Sequence, residues 1–233
     1  MQRYALKDLL SSNTYPGRGI VIGNTLDDKQ IIFYFIMGRS ENSRNRIFQL
    51  EEDGISTKAF DESKMLDPSL IIYHPVRRYN YDVIVTNGDQ TDTILQGLKE
   101  NKTFEESLRQ RSFEPDEPNY TPRISGLLHE DGTYELSILK AIDDKGEYCL
   151  RETFSYPKIK GLGHFIHTYK HDGNPIPSFE GEAIPIELDT NIEDLMYEVW
   201  DSLNEDNKVS LYVYYRDNQD HKFKEIIFNK NGE

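Results

Sequence analysis

The pattern of apolar and polar positions along the chain predicts a protein built mainly of β-strands. Two apolar runs at 17–24 and 30–38 flank the polar turn LDDK, which predicts a hairpin. The second run, IIFYFIMG, is apolar on both faces and therefore predicts a central strand covered on both sides. Short strands are also predicted near 46–51, 56–60, 70–74 and 81–86.

Two stretches of the chain have helical periodicity. Residues 90–111 predict one or two helices with a break near Asn101. The stretch NIEDLMYEVWDSL predicts the clearest helix, because its apolar residues recur at i, i+3 and i+4 and Asn191 is a suitable N-cap. Those apolar residues are Ile192, Leu195, Met196, Val199, Trp200 and Leu203.

The second half of the chain otherwise returns to strands. The runs RISGLLH, TYELSILKAI and EYCLRETFSY are separated by the turn sequences EDG and DDKG. A further strand is predicted at 163–169, and a closing hairpin at 208–216 and 221–228. Many strands with a few amphipathic helices predict a layered α+β domain, and 233 residues suit one such domain over residues 1–233.

Composition narrows the classes of function. The net charge of −14 argues against sequence-independent nucleic-acid binding and against an anionic membrane surface. The N-terminal sequence lacks the apolar run of a signal peptide, and no segment approaches the ~20 apolar residues of a membrane span. The single cysteine, Cys149, excludes an internal disulfide framework. We therefore expect a cytoplasmic protein.

Arginines are unevenly placed in this acidic chain. Surface arginines often only pair with carboxylates, but these stand beside Gly, Asn and Pro where strands are predicted to end. They therefore indicate a local anion site within an acidic surface. The residues are Arg18, Arg39, Arg44, Arg46, Arg77, Arg78 and Arg123.

The first two arginine segments flank the predicted central strand. In YPGRG, glycines on both sides of Arg18 allow the backbone to approach a ligand closely. In GRSENSRNR, three arginines, two serines and two asparagines follow the strand directly. Such a set of charge-assisted and neutral donors suits the binding of a phosphate, although the same residues also suit a solvated loop.

The other two segments combine arginines with candidate acids. YHPVRR is followed by TNGDQTD, where Asn87 and Gly88 precede a predicted helix whose first N–H groups can face a ligand. Asp92 is either part of that site or an ordinary first-turn acid. In EPDEPNYTPRI, the acids either pair with arginines or, at Glu117, transfer a proton.

Metal binding has little support in the sequence. His164 and His167 lie in the strand-like segment GHFIHTY, which puts them on opposite faces, and His171 follows after it. Cys149 lies within a predicted strand, where a buried structural thiol is expected. We therefore predict no metal ligands and no cofactor.

Taken in order, the four arginine segments resemble the archaeal-type IMP cyclohydrolase family. The resemblance runs from YPGRG through GRSENSRNR, IIYHPVRR and VIVTNGDQTD to NYTPRISG, over about residues 15–126. The later segment SYPKIKGLGHFIHTYKHDGNPIPSFEG resembles the bacterial branch of the same family. Two departures from the archaeal pattern stand out. Asp89 and Gln90 replace Ser-His after Asn-Gly, and Tyr120 replaces Asn before Thr-Pro-Arg.

The resemblance implies a fold and a reaction. The implied fold class is α+β, a four-layer αββα sandwich resembling that of the N-terminal nucleophile hydrolases. Residue 2 is Gln, so no Ser, Thr or Cys nucleophile follows Met1 here. The implied reaction is the dehydrative closure of 5-formamidoimidazole-4-carboxamide ribonucleotide to IMP in purine biosynthesis. That reaction has a purine ribonucleotide as substrate and requires no metal or redox cofactor.

The resemblance also suggests residue roles. Arg18, Arg39, Arg44 and Arg46 would share the 5′-phosphate and the oxyanion. Tyr73 would contact the reacting formamide, and Arg77, Asn87 and Arg123 would orient the base and carboxamide. The predicted catalytic residues are Tyr73, Arg39 and Glu117. The predicted substrate-binding residues are Arg18, Gly19, Ser40, Asn42, Arg44, Arg46, Arg77, Asn87, Gly88, Asp92, Thr121 and Arg123.

Two other functions fit the same residues. One is a hydrolase or cyclohydrolase that acts on another phosphorylated ribotide. The other is a non-catalytic protein whose arginines sense purine nucleotides. A strand-rich sandwich is also compatible with assembly into a homo-oligomer.

Overall fold

Two antiparallel β-sheets form the centre of the molecule. The computed structural model describes residues 2–64, 72–188 and 191–232. Its strands are β1 Arg18–Asn24, β2 Lys29–Met37, β3 Arg46–Glu51, β4 Gly54–Ala59, β5 Val76–Tyr79, β6 Asp82–Thr86, β7 Arg123–Leu128, β8 Tyr134–Ala141, β9 Cys149–Tyr156, β10 Leu162–His167, β11 Ile184–Glu187, β12 Lys208–Asp217 and β13 Phe223–Asn229. Within these described residues, one sheet has the order β11-β10-β1-β2-β12-β13 and the other runs from β3 to β9 in sequence order.

Helices cover the outer faces of the two sheets. They are α1 Leu6–Ser12, α2 Glu41–Arg44, α3 Gln90–Lys99, α4 Phe104–Leu108 and α5 Ile192–Ser202, with a 3-10 turn at Glu62–Lys64. Leu6 and Leu10 of α1 join the apolar face of α5 against the six-stranded sheet. Ile94 of α3 and Phe104 of α4 pack on the other sheet. Within the described residues, no helix has the length and apolar character needed to cross a membrane.

Strand β2 explains why the sheets and helices stack in this way. Its alternate residues Ile32, Tyr34 and Ile36 point between the two sheets and meet side chains from the facing strands. Phe33 and Phe35 point the other way, into the cluster formed with α1 and α5. The prediction of a central strand covered on both sides is confirmed, since its apolar residues are fully or almost fully buried.

The predicted helical region 90–111 contains two helices. Asn101 adopts a positive φ of 60° after α3 ends, a conformation that asparagine tolerates better than most residues. Thr103 then begins α4 with a capping box, in which its side chain accepts from Glu106 N and Glu106 accepts from Thr103 N. The break predicted near Asn101 is therefore confirmed.

The sequence pattern was less reliable where elements are short. A strand predicted at 70–74 is wrong for residues 72–74, which have no strand structure, and residues 70 and 71 lie outside the described residues. The strand begins instead at Val76 and includes Arg77 and Arg78, whose charges hide the β pattern. Helix α1 was not predicted, because seven residues with only two buried leucines give little periodicity.

Candidate active site

A cavity of about 360 Å³ opens at the end of the six-stranded sheet where β1 begins and β2 ends. Because β1 and β2 are antiparallel, Arg18 pairs with Ile36, and the segment that follows β2 folds over the same edge. The 113–121 and 168–176 connections complete the cavity. Its lining residues are Tyr15, Arg18, Met37, Arg39, Ser40, Asn42, Ser43, Arg46, Glu114, Asp116, Asn119, Thr121, Tyr169 and Ile176.

Two arginines in this cavity lack carboxylate partners within hydrogen-bond distance among the described residues. Arg46 is 2% exposed, and its Nε donates to the carbonyl of Ser43 at 2.9 Å. The Nε atom of Arg18 is buried and has no acceptor in the described part of the chain. A buried guanidinium normally has its donors satisfied. These two cations are therefore well suited to bind an anion that enters the cavity.

Among the charged neighbours of Arg18, Glu114 has the largest effect on the pKa of its guanidinium. Burial raises the pKa of the Glu114 carboxyl, while Arg18 and Arg123 oppose that rise. Burial by itself disfavours the charge on Arg18, but Glu114 and the surrounding tyrosines raise the pKa of the guanidinium. Burial and then the neighbouring charge of Arg18 lower the pKa of Arg46. A carboxyl with a raised pKa accepts a proton more readily than an ordinary glutamate does.

The approach of Tyr169 to the YPGRG turn depends on Gly17. Gly17 has a φ of 80°, and a Cβ atom there would lie 2.5 Å from the ring of Tyr169. Its absence lets Tyr169 approach the YPGRG turn, where Tyr169 N donates to the carbonyl of Pro16. Thr121 Oγ1 donates to Asp116, so the Tyr169 hydroxyl, 2.7 Å away, donates to Thr121. Burial raises the pKa of Tyr169 to about 12, so this hydroxyl remains a donor.

Arg39 lies at the rim of the cavity and already has an anionic partner. Its Nη1 atom donates to Asp172 at 2.5 Å and to the carbonyl of Gly173 at 2.9 Å. The guanidinium also stacks over the ring of Tyr15, 5.0 Å from its centroid. Arg39 thus ties the segment after β2 to the 168–176 connection.

The short helix α2 brings two polar side chains to the same cavity. Ser40 caps α2 by accepting from Ser43 N, and Ser43 accepts in return from Ser40 N. The Oδ1 atom of Asn42 is buried and has no hydrogen-bond partner in the described residues. This oxygen can accept a hydrogen bond from a ligand, which would satisfy a group that is otherwise costly to bury.

Comparison with known proteins identifies the family of this chain. The family model described as IMP cyclohydrolase-like protein matches residues 15–221. The chain belongs to this family. Curated relatives named IMP cyclohydrolase include one from Methanococcus aeolicus, 28% identical over 160 residues, covering 67% of this chain and 74% of the relative. Another, from Methanocaldococcus jannaschii, is 25% identical over 72% of this chain and 81% of the relative. A third, from Methanopyrus kandleri, is 27% identical over 71% of this chain and 89% of the relative.

In this IMP cyclohydrolase-like chain, the structure brings together six of the residues predicted for the site. They line the 360 Å³ cavity and come from β1, the segment after β2, the start of β3 and the segment before β7. These six are Arg18, Arg39, Ser40, Asn42, Arg46 and Thr121.

Tyr73 lies just behind the cavity lining. It is 7% exposed, and its hydroxyl is 3.1 Å from that of Tyr34 on β2. The backbone of Tyr73 is fixed by hydrogen bonds to Thr57. Both Arg18 and Arg46 interact electrostatically with Tyr73. Its hydroxyl is therefore close to the guanidinium groups of Arg18 and Arg46.

Three other predicted residues have internal partners. Arg77 makes a two-pronged ion pair with Asp53, at 2.7 and 2.8 Å, and its Nε is 3.4 Å from Asp92. Asn87 is 1% exposed and donates to the carbonyl of Pro122. These side chains do not line the cavity and instead join β5, α3 and the segment before β7.

Glu117 and Arg123 line a different cavity, of about 690 Å³, on the other side of the 113–117 segment. Gly88 lies beside Arg123, at the start of α3. Arg44 donates to the carbonyl of Gly38 and to Asn207, and it does not line the 360 Å³ cavity. Gly19 lies under the rings of Phe35 and Phe165, where a side chain would collide with them.

Sequence reasoning missed several residues of the cavity. Glu114 and Asp116 belong to the acidic segment that was recognised, but Glu117 was chosen because the sequence does not show which acid faces inward. Tyr169 follows the strand that contains His164 and His167. Those two histidines are buried in separate surroundings, with His164 beside Tyr134 and Tyr156 and His167 beside Phe165 and Phe179. Tyr15 and Asn119 also line the cavity.

Proposed function

We propose that this chain is an IMP cyclohydrolase, which converts 5-formamidoimidazole-4-carboxamide ribonucleotide into IMP and water. The names of its curated relatives and the family match over residues 15–221 support this proposal. The observation that carries it is the grouping of Arg18, Arg46 and Glu114 in one cavity. Two cations without a hydrogen-bonded carboxylate among the described residues suit an anionic substrate, and a carboxyl with a raised pKa suits proton transfer.

The size of the cavity agrees with a nucleotide substrate. Its volume of about 360 Å³ lies within the range of about 300–1,000 Å³ that is usual for small-molecule sites. The lining is polar on the side of α2 and aromatic at Tyr15 and Tyr169. Such a lining offers hydrogen bonds to a phosphate and a flat apolar surface to a heterocycle.

We assign the phosphate to the side of the cavity that contains Arg46. Arg18 is a charged neighbour of this arginine, and Glu114 is the main acid that compensates the charge of Arg18 itself. Ser40 and Asn42 lie on the same side, and Arg39 stands at the rim. The phosphate would neutralise Arg46 and accept hydrogen bonds from the donors around it.

The reacting groups are assigned to the side that contains Arg18 and Glu114. The carboxamide nitrogen forms a bond to the formyl carbon, and the formyl oxygen leaves as water. That water takes one proton from the carboxamide nitrogen and one from the formamide nitrogen, so no oxidation state changes. In this proposal Glu114 transfers these protons, while Arg18 stabilises negative charge on the formyl oxygen.

Tyr73 remains part of the proposal as a hydrogen-bonding group for the reacting formamide. Its position beside both arginines and its contact with Tyr34 support that role. Thr121 and Tyr169 would help to orient the base. The carboxamide is a poor nucleophile, so holding it against the formyl carbon supplies a large part of the rate increase.

The proposal includes a fold relationship and a cellular setting. Helices outside two stacked sheets support the sandwich of the N-terminal nucleophile hydrolases as the fold, and we infer that the chain is one catalytic domain. Purine biosynthesis in the cytoplasm is the setting that this reaction implies. A nucleotide substrate, with no nucleic-acid or membrane partner, is part of the same proposal.

The direct test is incubation of the purified protein with the formamido ribotide while ultraviolet absorbance follows the appearance of IMP. We expect saturable turnover that requires no added metal or redox cofactor. Binding of the ribotide without turnover would instead favour a nucleotide sensor. Turnover of a different phosphorylated ribotide alone would retain the site and change the substrate.

A further inference from the structure

The start of α3 holds an arginine directly behind the Glu114 carboxyl. Arg123 Nη1 donates to Asp89 at 2.8 Å and to Gln90 Oε1 at 2.7 Å. Its side chain is 13% exposed, whereas that of Asp89 is 58% exposed. Arg123 does not line the 360 Å³ cavity, so the substrate is not its partner in this arrangement.

Because Gly88 has no side chain, there is an open space between Arg123 and Glu114. A Cβ atom at Gly88 would lie 2.6 Å from Arg123 Nη1 and 3.6 Å from Glu114 Oε1. Those two atoms are therefore no more than about 6.2 Å apart. The same Cβ atom would lie 2.7 Å from Gln90 Oε1, so a methyl group would disturb the arginine and its acceptor together.

We propose that Arg123 is a positioning residue that acts on the carboxyl of Glu114, and that Asp89 and Gln90 hold it in place across the space left by Gly88. This inference rests on the proposed function only in taking Glu114 as the group that transfers protons. Asp89 and Gln90 are also the two positions at which this chain departs from the archaeal Asn-Gly-Ser-His pattern. The two residues that hold Arg123 in place are thus the ones in which this chain differs from the archaeal pattern.

The charges around Glu114 give the direction of the effect. Arg18, Arg123 and Arg46 favour its ionised form, whereas Asp116 and burial oppose it. Removing the charge of Arg123 should therefore raise the pKa of Glu114. Neutralising Asp89 should lower it, because Arg123 would act without a competing negative charge. A unit charge about 6 Å away at partial screening corresponds to roughly one pH unit.

The test measures the pKa of Glu114 directly, by carbon-13 NMR of the full-length protein labelled at glutamate, with Glu114→Gln to assign the resonance. We expect Arg123→Gln to raise this pKa by about one pH unit. Arg123→Lys should retain most of the original value. Gly88→Ala should move the pKa in the same direction as Arg123→Gln, although it changes no charge. Asp89→Asn should shift the value the opposite way.

Arg111 provides the matched control. It also forms an ion pair with Asp89, but it is not among the main charges that affect Glu114. Arg111→Gln should therefore leave the pKa of Glu114 unchanged. If Arg123→Gln fails to fold, Gly88→Ala carries the same test, because the Gly88 backbone does not require a positive φ.

Kinetics separate a positioning role from substrate binding. In Arg123→Gln, the pH profile of kcat should move with the pKa of Glu114, while KM stays within about twofold of the original value. A raised KM with an unmoved Glu114 pKa would overturn the inference and make Arg123 a substrate ligand. The expected pKa shifts without any cyclohydrolase activity would instead overturn the proposed function and leave the inference standing.

Discussion

Arginines lie at both ends of the six-stranded sheet, and their surroundings differ. At the end where β12 finishes, Arg216 is 3% exposed and donates to Gln30 Oε1 and to the carbonyls of Tyr81 and His129. At the end where β1 begins, the Nε atom of Arg18 has no acceptor among the described residues. We call these the closed end and the cavity end. Arginine stabilises the fold at the closed end and, in our proposal, binds the anionic substrate at the cavity end.

The difference teaches how to separate structural from functional arginines in this fold. Buried polar groups are normally satisfied within the protein, so Arg216 needs no ligand to explain its burial. Arg18 is retained although its burial is opposed by desolvation and it has no hydrogen-bonded counter-ion in the described part of the chain. Substitutions at the two ends should therefore affect different quantities, activity at the cavity end and stability at the closed end.

The largest effect is expected at the cavity end, from Arg18→Met. In the proposed mechanism this charge stabilises the formyl oxygen, so losing it should lower kcat/KM by about 10²–10³-fold. The free energy of unfolding should change less than at the closed end, because the Nε atom of Arg18 has no acceptor to lose among the described residues. Steady-state kinetics and urea unfolding measure both quantities. A large loss of stability would show that Arg18 is a structural residue like Arg216.

The matching substitution at the closed end is Arg216→Met. It leaves Gln30 and two backbone carbonyls without their donor, so we expect the free energy of unfolding to fall by roughly 2–3 kcal/mol. Activity per folded molecule should be unchanged. Loss of activity in a sample that is fully folded by circular dichroism would contradict the division between the two ends.

A pair of buried tyrosines allows a third comparison. Tyr73→Phe should lower kcat by about tenfold or more if its hydroxyl acts on the formamide in the transition state. At the closed end the Tyr134 hydroxyl shares a hydrogen bond of 2.6 Å with His164 Nδ1, and Tyr134→Phe should cost about 1 kcal/mol of stability with kcat unchanged. Equal kcat values for Tyr73→Phe and the unmodified protein would remove Tyr73 from the mechanism.

His129 at the closed end predicts a pH dependence of stability. Its ring nitrogens are 3.7 Å from Asp82 and 3.3 Å from Glu135, and its interactions with these two acids raise its pKa to about 9. Because the folded pKa exceeds the unfolded value, this stabilisation is complete below about pH 6.5 and disappears as the pH rises through 9.

The test compares the original protein with His129→Gln by urea unfolding at several pH values. The variant should be less stable by about 1 kcal/mol at pH 6, allowing for solvent screening, and the difference should vanish near pH 10. A difference that stays constant with pH would show that the ion pairs do not contribute.

The smallest effect is expected at the rim of the cavity. Asp172→Asn would release Arg39 from its ion pair, and a freer Arg39 should lower KM by about two- to threefold if it reaches the phosphate. Arg39→Ala should raise KM under the same assumption. An unchanged KM in both variants would restrict Arg39 to joining the two segments at the rim.

The sequence predicted the long elements of the fold and about half of the residues placed in the cavity. Strand β2 and helix α5 were predictable because their apolar patterns extend over two or more turns or pleats. Strand β5 was not, because Arg77 and Arg78 interrupt the pattern where they pair with Asp53 and Glu225. Local pattern cannot indicate an ion-pair partner that is distant in sequence.

The site shows the same limit. Motif order identified Arg18 and Arg46, since they adjoin strands whose positions were clear. The choice of Glu117 over Glu114 depended on which side of the 113–117 segment faces the cavity, and that is decided by residues distant in sequence, such as Arg18 and Arg46. Asn87 illustrates the converse, because its hydrogen bonds to Pro122 and Ile124 fix the backbone rather than a ligand.

The turn at Gly17 has a consequence for how activity develops during folding. Thr168 Oγ1 accepts from Arg18 N across 150 residues of chain, and Tyr169 N closes the same turn onto Pro16. Contacts so distant in sequence form slowly, since a long loop must close before they become favourable. Recovery of catalysis after dilution from denaturant should therefore lag behind recovery of secondary structure. The return of enzymatic turnover would then report when the last step of folding is complete.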